Sequence, residues 1–195
     1  MMVVFGGILG VFNTLGTVLS EIGSAYKSYT TDDFSTFGAL FIVGGVLGSV
    51  GFGVFLDVTK KFKSATLLIC TTSLIAFGAF IAVIGLEEPV ITTILCALIG
   101  ASMVPILPVG FEFAIEMSYP VGEAMRAGVL MSVGQVIGII FTLMTTALLS
   151  AYENPDGSQD KMGGLISMFI MLATVLISFI FSFFLREDLR RLKLD

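Results

Sequence analysis

The chain has 195 residues, 56% of them apolar and 13% charged, with a mean hydropathy of +1.02 and a net charge of −5. Stretches of about 20 residues run without a formal charge, so it reads as an all-α polytopic membrane protein whose first partner is the lipid bilayer, with no nucleic-acid partner. With no histidine and only Cys70 and Cys96, it lacks the ligands of a zinc site or metalloprotease and cannot form a His-dependent triad; neither enzymatic activity nor a cofactor is expected.

Six uncharged segments follow in chain order, at about 1–20, 35–56, 64–86, 89–111, 127–152 and 162–185. Each is long enough to cross about 30 Å of hydrocarbon at 1.5 Å per residue, which predicts a single six-helix bundle over residues 1–195. The first segment has no basic leader, and its polar residues Asn13 and Thr14 sit mid-segment, so it reads as a retained helix rather than a cleaved signal. Asn13 falls near mid-depth. The second segment carries Gly44, Gly45, Gly48, Ser49, Gly51 and Gly53, a lack of bulk that predicts close approach of a neighbouring backbone. It ends in GFGVFLDVTKKFK, where Asp57 precedes Lys60, Lys61 and Lys63.

In the fourth segment Pro105 and Pro108 interrupt the helix, and Glu112 and Glu116 follow at i,i+4 spacing on one face. Their depth puts them at the membrane interface, where a gate or an ion pair with Arg126 is expected. Gln135 lies roughly 12–17 Å into the fifth helical run, near the midplane. Polar groups at that depth face protein or a cavity, so Asn13 and Gln135 either bond between helices or contact a solute. Gly134 and Gly138 give a small-x-x-x-small packing face. The final REDLRRLKLD reads as an amphipathic anchor at the lipid surface.

Positive charge sets the orientation. With the lysine cluster after the second helix on the cytoplasmic side, both termini lie there too, or on the matrix side in an organelle. That side then holds Lys60, Lys61, Lys63, Arg126, Arg186, Arg190, Arg191 and Lys193, while Lys27 and Lys161 face outward.

Six helices with both ends inside, and an acid-then-base loop after the second, resemble one half of a major facilitator superfamily transporter. Gly53, Asp57, Lys60 and Lys61 match that superfamily's glycine–aspartate–basic loop, with Val58 in place of its first base and no second glycine. The stretches GVLGSVGFGVFLDVTKKFK and LPVGFEFAIEMSYPVGEAMRAGVLMSVGQVIGIIFTL resemble the C-terminal half, helices seven to twelve, of the feline leukaemia virus subgroup C receptor-related transporters. The resemblance implies a carrier of choline or ethanolamine, linked also to haem, and a complementary N-terminal six-helix half. It implies that Asp57 bridges to that other half as a cytoplasmic gate, and that Gln135 contacts the solute. Phe12 keeps an aromatic of the first helix, while Asn13 stands where the family has a tyrosine that encloses a quaternary ammonium by cation–π attraction. A non-transporting subunit of a membrane complex, descended from a transporter half and packed against neighbouring subunits, is the alternative.

Overall fold

The computed structural model describes residues 1–26, 29–117, 122–153 and 160–185. Its helices are α1 (Met2–Ser24), α2 (Thr31–Thr59), α3 (Phe62–Ile84), α4 (Pro89–Met103), α5 (Ile106–Met117), α6 (Glu123–Ala151) and α7 (Lys161–Phe183). With α4 and α5 taken as one span, six helices among the described residues are long and apolar enough to cross a membrane. The chain is thus an all-α polytopic membrane protein. Lys27 and the REDLRRLKLD tail, with its bases Arg186, Arg190, Arg191 and Lys193, lie outside the described residues.

The ends of the helices follow from local chemistry. Thr30 and Asp33 form a reciprocal capping box that starts α2 several residues before its apolar run. Pro89 opens α4, where a missing N–H costs nothing, and Asp160 caps α7 by accepting from the Met162 amide. The fourth span breaks at Val104–Pro105. Pro108 cannot supply the amide that Val104 would receive from four residues on; Leu107 donates to Val104 at 3.0 Å instead, tightening the turn.

Helix α1 is the innermost, with 67% of its apolar window buried, against 22% for α2 and 17% for α6. It packs chiefly on α6 and α7, while α2 packs on α4, and α3 joins the two groups through α4 and α7. Between α2 and α4 the backbones nearly touch: a methyl at Gly44 would fall on the Ala97 carbonyl, one at Gly48 on the Ala101 carbonyl, and one at Gly100 on the Phe41 carbonyl. Gly51 and Gly53 depart from the expected close approach. A methyl at either would meet nothing within 4 Å: Gly51 lies past the stretch of α2 that α4 covers, and Gly53 is on the opposite face of the helix from Gly44.

At the end expected to face outward, three connections are tied together. The Tyr29 hydroxyl reaches the Ile84 carbonyl at 3.3 Å and lies 3.0 Å from Thr92 Oγ1. Lys161 sits 4.9 Å above the Tyr26 ring and 2.7 Å from Glu87, itself in the left-handed region at φ 56°. Desolvation raises both phenols above their ordinary pKa.

Candidate functional site

Asn13 is the central residue of the 23-residue α1, and Gln135 lies close to the midpoint of the 29-residue α6. Asn13 Nδ2 donates to Gln135 Oε1 at 3.3 Å, so the two mid-depth amides meet each other across the helix pair. The helices run close together here: a methyl at Gly138 would lie in van der Waals contact with Asn13 Nδ2 at 3.4 Å and with the Gly10 Cα at 3.6 Å. At the next position along α1, Thr14 Oγ1 lies 3.1 Å from Thr142 Oγ1, and one turn on from Asn13, Thr17 donates to the Asn13 carbonyl at 2.9 Å.

Beside this seam lies an open cleft of about 300 Å³ whose polar lining is Asn13, Thr17, Gln135 and Thr142, with Ile139 and Leu143 completing the wall. The amide pair uses one donor of Asn13 and one acceptor of Gln135, so Asn13 Oδ1 and Gln135 Nε2 keep an acceptor and a donor for a third molecule. Phe12 does not join them. Its ring turns to the other side of α1 and stacks on Phe41, centroids 4.7 Å apart. Thr17 and Thr142 were not singled out from sequence, although they stand at i+4 from Asn13 and i+7 from Gln135 and so repeat the same helical faces.

The second group of expected site residues gathers at the opposite end from the tyrosines, where the Phe62 and Phe113 rings stack at 5.8 Å and hold the start of α3 against α5. Asp57 and Lys60 form an exposed i,i+3 pair at 3.8 Å. Lys60 closes α2 in the left-handed region, at φ 51°, and Lys61 precedes α3. Arg126, buried in the first turns of α6, corrects an expectation: its Nη1 donates to the Ile115 carbonyl, and no ion pair with Glu112 or Glu116 occurs among the described residues. The last turn of α5 exposes that carbonyl toward α6, and the guanidinium satisfies it. Glu112 is exposed, while Glu116 Oε2 and Arg126 Nε are both buried without a hydrogen-bond partner.

No family profile matches the chain. Curated proteins do. An uncharacterized MFS-type transporter of Caenorhabditis elegans is 33% identical over 193 residues, which is 99% of this chain and 31% of that protein. The choline/ethanolamine transporter FLVCR1 of Mus musculus is 29% identical over 98% of this chain and 32% of its own length. Solute carrier family 49 member A3 of Xenopus tropicalis is 32% identical over 83% of this chain and 34% of its own. The chain therefore spans about a third of the length of these relatives. Six membrane-length helices and relatedness over nearly the whole chain place it with the MFS-type, FLVCR-like transporters, as a six-helix half of that fold.

Proposed function

We propose that the chain forms the C-terminal half of an alternating-access transporter for a small organic solute of the choline or ethanolamine kind, its cavity completed by an N-terminal six-helix half. The observation that carries this is the Asn13–Gln135 pair beside an open, mid-depth cleft bordered also by Thr17 and Thr142. Polar side chains at this depth are costly to leave facing hydrocarbon unless water, protein or solute meets them, and two related curated transporters are named for choline and ethanolamine. Asn13 and Gln135 contact the solute through their remaining acceptor and donor, while Phe12 stands one cleft away. At the other end Asp57, Lys60, Lys61, Glu112, Glu116 and Arg126 serve the gate, on the cytoplasmic side with both termini. The haem link implied by the family resemblance has no support in the cleft, whose lining holds no histidine, cysteine or tyrosine.

The test is uptake of labelled choline and ethanolamine by cells expressing the full-length protein that contains this chain, beside Gln135→Ala. Loss of a net hydrogen bond of about 1–1.5 kcal/mol lowers apparent affinity by roughly tenfold. Unchanged uptake in the variant removes Gln135 from the site. A non-transporting structural subunit is the second reading, favoured by the fact that the two amides already bond each other. It stands if the native protein, correctly inserted, takes up neither solute.

A further inference from the structure

Two clefts flank α1, both largely apolar in surface, and they differ in the polar side chains that border them. The one toward α6 carries the amide pair and two threonines. The other, about 210 Å³, lies between α1 and α2, walled by Phe12, Leu19, Phe41 and Ile42, with Asn13 as its only polar side chain. Asn13 borders both. Phe12 and Phe41 stack with planes 13° apart, which makes that wall a fixed double ring.

What keeps the cleft between α1 and α2 open is the absence of two side chains. Gly16, one turn beyond Asn13, is exposed, and a methyl there would touch only Phe41 Cε1, at 3.7 Å. A methyl at Gly38, across the cleft on α2, would meet nothing within 4 Å. The surface of α1 thus falls to backbone level at Gly16, beside the side chain common to both clefts. An apolar cavity of about 150 Å³ admits benzene, so the volume here suffices for a ring or a short alkyl chain.

On the transport reading of the cleft toward α6, on which this proposal rests, we infer that the solute site continues over α1 at Gly16 and takes an amphiphile. A hydroxyl or amine head is held at Asn13 and Gln135, and an alkyl or aryl substituent enters the cleft between α1 and α2. Each buried methylene then strengthens binding by about three- to fourfold until the cleft is full.

The experiment uses the full-length protein that contains this chain, expressed in cells, with labelled ethanolamine uptake competed by N-alkyl ethanolamines from methyl to hexyl. Gly16→Leu and Gly38→Leu fill the same cleft from opposite helices, so one suffices if the other fails to fold. The expected result is competition that strengthens with chain length in the native protein and loses that dependence in the variants. Competition that is flat or weakens with length, as a resident lipid chain would cause, overturns the proposal, and so does a length dependence that survives in the folded variants. Absence of both ethanolamine and choline uptake overturns the transport reading alone. The cleft is then read by the melting temperature of the purified protein with the same series: a native protein whose melting temperature does not rise with chain length, or a rise equal to that of the variants, overturns the amphiphile site.

Discussion

Replacing Gly44 by alanine tests whether the α2–α4 contact is made by backbones. The added methyl falls on the Ala97 carbonyl, so α2 must retreat from α4 by about 1 Å to restore van der Waals distance. That retreat also disturbs the neighbouring contacts at Gly48 and Gly100, since all three face the same helix pair. Overpacking of this kind costs about 1–3 kcal/mol. For a unit of this size each kcal/mol shifts the melting temperature by about 2–4 °C, so a fall of roughly 2–12 °C is expected. The assay is thermal unfolding in detergent, followed by fluorescence-detected gel filtration. Gly51→Ala and Gly53→Ala provide the contrast within the same helix. Their methyls enter open space and alanine is the better helix former, so their melting temperatures hold or rise. Equal losses at positions 44 and 51 would refute the reasoning, because they would make the effect one of glycine in a helix rather than of contact with α4.

Tyr29→Phe removes the hydroxyl that meets the Ile84 carbonyl and Thr92; Thr92 keeps its bond to the Glu88 carbonyl, so the loss is about 1 kcal/mol, read in the same melting assay. Arg126→Ala leaves the Ile115 carbonyl without its charged donor and lowers stability by about 2 kcal/mol, whereas Glu112→Gln on the exposed face leaves the melting temperature unchanged. Asp57→Asn breaks an exposed intrahelical pair worth about 0.3–0.5 kcal/mol, so the melting temperature barely moves. If Asp57 serves a gate, the uptake rate nevertheless changes severalfold; an unchanged rate leaves it a solvated surface acid.

Most of the helical layout can be read along the chain, because a bilayer demands long apolar runs and charges mark their ends. The fine limits are set by groups outside those runs: the Thr30–Asp33 box carries α2 outward beyond its apolar residues, and Pro105 parts α4 from α5. Depth alone singled out Asn13 and Gln135, since each is a lone amide in a helix centre. That they bond each other depends on how α1 and α6 rotate, and no local pattern encodes it. The glycines of α2 make the same point. Gly44 and Gly51 are alike in sequence, and only the path of α4 decides which one is crowded. Arg126 was expected to seek a carboxylate, but the end of α5 offered an unsatisfied carbonyl nearer by.

The knot of Tyr26, Glu87 and Lys161 also sets an order of events. Its three members come from the first connection, from the turn before α4 and from the opening residue of the last helix. A chain made from its N-terminus can close this knot only after the five spans that precede α7 here have been synthesised. Lys161 reaches both Tyr26 and Glu87 only once α7 is docked at this end of the bundle. Pairing with the wrong neighbour would leave that lysine away from both, so the same few contacts that hold the finished end together also discriminate a correctly threaded bundle from a misthreaded one.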